Sequence, residues 1–164
     1  MGNNLNSATA DSNMQLMERF YTAFQARDSA AMIACYHPQV HFSDPVFTAL
    51  QGARAGAMWE MLCEGGDDLK IEFRDVSADE RSGRAHWDAW YTFGTGRKVH
   101  NRIDATFEFR DGKIIRHIDA FDLHSWAAQA LGLTGRLLGR FGFFQNKIRE
   151  SALKQLDKHI SREG

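Results

Sequence analysis

The chain has 164 residues, 43% hydrophobic and 25% charged, which suits one globular domain and excludes wholesale disorder. With 20 Lys and Arg against 21 Asp and Glu the net charge is -1, so the balance gives no reason to expect nucleic acid or another polyanion as partner. No apolar run reaches the length of a membrane span. The two cysteines, Cys35 and Cys63, form neither a C-x-x-C motif nor a disulfide framework, which fits a reducing cytoplasm.

Residues 1–13 are rich in Asn and Ser, carry little to bury and read as a disordered leader. From Met14 the apolar residues Leu16, Met17, Phe20, Tyr21 and Phe24 recur at three- and four-residue steps, the period of a helix. Asp28 or Ser29 caps a second short helix over Ala30–Tyr36, which Pro38 ends. Val40–Ser43 alternates as a short strand up to Asp44-Pro45. Ala53–Glu64 is helical again and stops at Gly65-Gly66. The period then switches to two. Four strands follow, around Leu69–Phe73, Ala85–Phe93, Val99–Phe109 and Lys113–Phe121, with turns at Ser82-Gly83, Gly94-Thr95-Gly96 and Asp111-Gly112. The tail from Ser125 is helical, punctuated by Gly132, Gly135, Gly139 and Gly142, and basic from Gly135 onward. Three helices before a meander of antiparallel strands define an α+β class.

The acids on strands are the chemical signal. Asp88, Asp104 and Asp119 sit in runs that otherwise look like core, where Asp is a poor strand former. A buried carboxylate must be paired, hydrogen-bonded or neutralised. Asp88 and Asp104 share a face with His86, Thr92, Arg102 and Glu108, which fits a solvated sheet face. Asp119 shares its side with Ile115 and Phe121, which fits a pocket. Asp44 before Pro45 is either a strand-ending turn or a site residue. His37 and His41 would lie on one side of a strand, but a zinc site needs a third ligand. No Walker loop, zinc-helix motif, nucleophile elbow or complete dinucleotide fingerprint occurs. No metal and no organic cofactor are therefore expected.

The stretches ERFYTAFQARDSAAMIACYHPQVHFSDPVF, RIDATFEFRDGKI and HIDAFDLHSWAAQALGL resemble the nuclear-transport-factor-like superfamily, with ketosteroid isomerase, the SnoaL-like cyclases and limonene epoxide hydrolase among its members. The resemblance implies a cone-shaped barrel in which a curved antiparallel sheet wraps around N-terminal helices. The domain would span 14–133, followed by an amphipathic helical C-terminal extension over 134–164. Within the resemblance, Asp44 falls on the isomerase's proton-shuttling base and Asp104 on its oxyanion-hole acid, the arrangement known as a carboxylic acid kept neutral by an apolar site. The isomerase's hydrogen-bonding tyrosine falls on Phe20, with Tyr21 about 100° further round the helix. The epoxide hydrolase triad falls on Asp88, His86 and Asp119, with His86 in place of an arginine.

These readings lead to one expectation. Asp44, Asp104 and Asp119 would be the catalytic acids of one cavity, and Phe20, His86, Asp88, Trp90 and Phe121 would contact an apolar small-molecule substrate. The activity would be that of a cofactor-independent isomerase, cyclase or hydrolase. The alternative is a non-catalytic ligand-binding or dimerisation module of the same fold. A homodimer is expected, paired through the sheet. For the tail, packing on the domain is expected over contact with an anionic membrane, because Phe141, Phe143 and Phe144 offer apolar area for it.

Overall fold

The computed structural model describes residues 2–164, with side chains from Asn4 onward. Helix α1 runs over Gly2–Gln25. It buries Leu16, Met17, Phe20, Tyr21 and Phe24 as one stripe. The helix begins well before Met14, so the stretch expected to be a disordered leader is helical here. Asn13 is buried and donates from Nδ2 to the Asp79 carbonyl at 3.0 Å, which ties this part of the helix to the sheet. Asp28 caps α2 (Ser29–Ala34) by accepting from the Ala31 N–H.

Strand β1 spans Tyr36–Ser43 and β2 only Leu50–Gln51. Helix α3 covers Ala53–Gly65. Then come β3 (Lys70–Ala78), β4 (Ser82–Thr92), β5 (Lys98–Arg110) and β6 (Lys113–Ala120). The six strands form one sheet in the order β2-β1-β6-β5-β4-β3. The last four make the expected antiparallel meander. The sheet is mixed, because β1 lies parallel to β6 with Phe42 opposite His117. Its ends, β2 and β3, do not pair, so the curved sheet stays open.

Alternation decides which side chains enter the cone. On β4 and β5, Ala85, Trp87, Ala89, Ile103, Ala105 and Phe107 point inward and join the α1 stripe in the main core. Trp59 of α3 packs edge-on against Phe20 and Phe24. The class is α+β, as read from the sequence.

The tail forms α4 (Leu123–Leu131), α5 (Leu133–Leu138) and α6 (Gly142–Glu163). Asp122 caps α4. A second apolar cluster around Leu123, Trp126 and Ala127 takes in Phe144 and Ile148 of α6. Helix α6 is anchored on α3, where Arg54 pairs with Asp157 at 3.0 Å and buried His159 lies 3.5 Å from Glu60 and 3.6 Å from Glu64. Phe144 thus packs as expected, whereas Phe141 and Phe143 stay exposed. No described helix is long and apolar enough to cross a membrane.

Candidate active site

A directed chain of hydrogen bonds crosses the floor of the cone. Trp59 Nε1 donates to Tyr36 Oη at 2.8 Å. An indole N–H can only donate, so the phenol proton is left for His117 Nδ1, 2.7 Å away. His117 then carries its ring proton on Nε2 and donates to Asp119 Oδ1 at 2.9 Å. Trp87 Nε1 donates to the same oxygen at 3.2 Å. His117 and Asp119 are two apart on β6 and so share its inner face. His117 is fully buried and Asp119 is 4% exposed. Asp119 Oδ1 holds both donors, and among the described residues none reaches Oδ2.

Asp44 ends β1 at the rim. Its Oδ1 accepts from the backbone N–H of Val46 at 2.7 Å and of Phe47 at 2.6 Å, the turn that Asp before Pro favours. Burial pushes the Asp44 pKa up to about 7; the Asp119 charge adds to this, and the Phe47 and Val46 N–H groups oppose it. The turn reading holds, and the same residue is a perturbed acid. Arg149 Nε of α6 donates to the Pro45 carbonyl at 2.9 Å, so the last helix holds down the loop that carries Asp44. Beside the loop, Trp126 Nε1 donates to Tyr91 Oη at 2.7 Å.

Tyr21, which the sequence reading names beside Phe20 but leaves out of the site, lies on the inner side. Its ring stacks on Phe73 inside the cone. Its hydroxyl is buried and has no hydrogen-bond partner among the described residues. Such a group costs about 1–3 kcal/mol. Burial first, and then the Asp119 charge, hold its pKa well above the usual phenol value. An O–H donor thus lies within electrostatic reach of Asp119.

The expected site residues divide between the two faces of the sheet. Asp44, Asp119, Phe20 and Phe121 belong to the inner side, where Phe20 is a fully buried core residue. Asp104 does not join them. Ala105 is the partner of Asp119 across the ladder, so Asp104 points the opposite way, and its side chain is 82% exposed on the outer face. His86, Asp88 and Trp90 are also on that face. There His86 Nδ1 lies 2.8 Å from Asp104 and His86 Nε2 lies 3.1 Å from Asp88. His100 and Arg74 complete the cluster, at 2.7 Å and 3.0 Å from Asp88. Burial would raise the Asp88 pKa, but hydrogen bonds from His100 and Arg74 and the adjacent His86 hold it below the ordinary carboxylate value. The sheet stands between this cluster and Asp119, so the three acids do not share one cavity, and His86, Asp88 and Asp119 do not form one triad.

Two surface grooves, of about 690 and 640 Å³, lie outside the cone. The first runs between α1 and α2, and the second between the β4–β5 turn and α4–α5. Neither contains Asp44 or Asp119. Among the described residues no group of three or more His, Cys, Asp or Glu is arranged to hold a metal ion.

Comparison with known proteins agrees with this architecture. The SnoaL-like domain profile matches residues 17–117, and the chain belongs to that family. A comparison with curated proteins found no match. Among solved structures, TerC co-crystallised with polyporic acid superposes with a TM-score of 0.63 at 18% identity, covering 73% of this chain and 98% of TerC. An LEH-like epoxide hydrolase of Mycobacterium tuberculosis gives 0.62 at 19% identity, covering 79% of this chain and 98% of its own. A protein of Xanthomonas campestris pathovar campestris, provisionally described as a polyketide cyclase, gives 0.64 at 22% identity, with coverages of 74% and 98%.

Proposed function

We propose that this chain is a small-molecule enzyme, an isomerase, cyclase or hydrolase that moves a proton with Asp44 and Asp119 on a mainly apolar substrate. The observation that carries the reading is two carboxylates on the inner side of one apolar cone, close enough for the charge of one to raise the pKa of the other. An acid titrating near neutral pH both takes and returns a proton at little cost. Asp119 is held through Oδ1 by His117 and Trp87, so its Oδ2 faces the substrate as a fixed base. The Tyr21 hydroxyl supplies the donor for a substrate oxygen that gains charge; one such donor is worth roughly a hundredfold or more in rate. Each proton step has a named side chain, and the scheme needs no cofactor.

The similar structures guide the substrate search, which takes epoxides and polyketide-like ketones before 3-keto steroids. The test is turnover of such a panel by the wild-type chain, Asp44→Asn and Asp119→Asn. Both variants should fold, and one should abolish the activity found. Unchanged turnover in both would reject the carboxylate mechanism.

A second reading, a non-catalytic ligand-binding or dimerisation module, is favoured by one observation: Phe20, Tyr21, Phe24, Trp59 and Trp87 fill the cone and are all buried. Binding of a panel compound without turnover would select it. Under either reading we take 14–133 as the domain and 134–164 as its extension. We place the dimer contact on the outer sheet face, where Trp90 stacks on His100 and Ile118 is exposed. Light scattering at monomer mass would reject that dimer. The free thiols Cys35 and Cys63, both buried, support a reducing cytoplasm as the location.

A further inference from the structure

Helix α5 is packed the wrong way round for a soluble protein. Gly135 is its buried residue. A Cβ built on Gly135 would lie 1.9 Å from the Ala127 carbonyl oxygen, and one on Gly139 would lie 2.9 Å from the His124 ring. The glycine edge is therefore pressed against α4, at a separation that admits no other residue. Leu133 and Leu137 are two residues to either side of Gly135, about 200° round the helix, and so face away from the protein. They are 70% and 64% exposed. Phe141 and Phe143 continue the chain at 52% and 59% exposed, with their rings stacked at 5.9 Å. Rotating α5 to bury the leucines would drive side chains into the α4 backbone. The apolar face is thus fixed outward by the contact behind it.

The charge along the segment that builds this face, between Asp122 and Glu150, has one sign. From Leu123 to Arg149 the sequence holds Arg136, Arg140, Lys147 and Arg149 and not one Asp or Glu, in a chain whose net charge is -1. Arg136, Arg140 and Lys147 are exposed, and none forms an ion pair among the described residues. Arg97 and Lys98, from the β4–β5 turn, line the neighbouring groove of about 640 Å³ together with Leu133 and Arg136.

We propose that the α5–α6 corner is a docking surface for an anionic lipid bilayer. Leu133, Leu137, Phe141 and Phe143 would enter the acyl boundary, and Arg136, Arg140 and Lys147 would meet the headgroup phosphates. Charge selects this occupant over a second copy of the chain. A two-fold contact through the corner would set its arginines against their own copies, with no acid in the segment to offset them. The proposal is independent of the chemistry inside the cone.

The test is co-sedimentation of the full chain with phosphatidylcholine vesicles, with and without about 30% phosphatidylserine, at about 0.1 M salt. Binding should require phosphatidylserine and fall as salt is raised. Each arginine near the surface contributes about fivefold, so Arg136→Gln with Arg140→Gln should weaken binding roughly 20- to 30-fold. Leu137→Ser with Phe141→Ser should abolish it. All four side chains are exposed, so both variants should keep the circular dichroism spectrum of the parent. Three results would each overturn the proposal: no sedimentation with anionic vesicles, equal sedimentation with neutral ones, or an oligomer that Leu137→Ser with Phe141→Ser converts to monomer.

Discussion

Replacing Asp44 by Asn should make the protein more stable at alkaline pH and leave it about as stable in acid. The amide oxygen still accepts from Val46 and Phe47, so the turn survives. What disappears is a carboxylate whose pKa moves from 3.8 to about 7 on folding. A raised acid binds more protons folded than unfolded. Its contribution is full below the unfolded value and is lost as pH rises through the folded one. Between about pH 5 and 8.5 the unfolded group is already ionised and the folded group ionises, so roughly two units of the shift fall in the window. At 1.36 kcal/mol per unit this is about 3 kcal/mol. Urea unfolding of both proteins, followed by circular dichroism at the two pH values, measures the difference directly. Wild type should lose about 3 kcal/mol more than Asp44→Asn over the interval. Parallel losses in the two proteins would show that Asp44 is not held neutral by its surroundings, and the acid-base reading would lose its support.

Asp104→Asn should leave any turnover unchanged within about twofold, because the residue is on the outer face; a loss like that of Asp119→Asn would place the reacting centre outside the cone. Tyr21→Phe should stabilise the fold by about 1 kcal/mol in urea unfolding, since it deletes an unpartnered buried hydroxyl, and should weaken binding of oxygen-bearing ligands; a clear loss of stability would reveal a partner for that hydroxyl. Gly135→Ala should cost roughly 1–3 kcal/mol, because its Cβ meets the Ala127 carbonyl; unchanged stability would mean that α5 is free to shift. If Asp44 is the base, kcat/KM should rise with pH and level off above about 7; a profile flat through neutrality would assign the base to another group.

The helices and the meander were legible because burial repeats with a period. The stripe from Leu16 to Phe24 and the alternation on β4 and β5 are direct records of which side faces the core. Residues 2–13 were not legible, since a helix with few apolar residues looks like a leader and its tie through Asn13 is a single long-range bond. Strand β2 has two residues and so no period, and the parallel pairing of β1 with β6 leaves no local mark. Asp119 was visible as an acid in apolar surroundings, and Asp44 through its place before Pro45 and the family resemblance. His117 shared the inner face with Asp119 at i and i+2, and that spacing was the signal available for it. For His86, Asp88, Trp90 and Asp104 the plain alternation gave the right face, whereas the family resemblance drew them toward the pocket. The resemblance spoke for the fold, and the side-chain period spoke for this chain.

The parallel seam has a kinetic consequence. Strands β1 and β6 set Phe42 beside His117, yet α3 and all of β3, β4 and β5 separate them along the chain. Closing so long a loop costs entropy before any contact rewards it, whereas the β3–β6 hairpins form from neighbours. Folding should therefore nucleate in the meander, and the β1–β6 seam, which carries His117 and Asp119 and leads into Asp44, should zip late. Substitutions at these site residues would then leave the refolding arm of a chevron nearly still and steepen escape from the native state, while Ala85 or Ala105 variants in the hairpin would slow refolding itself. The part of the molecule proposed to do chemistry would be the last to assemble and the first to open.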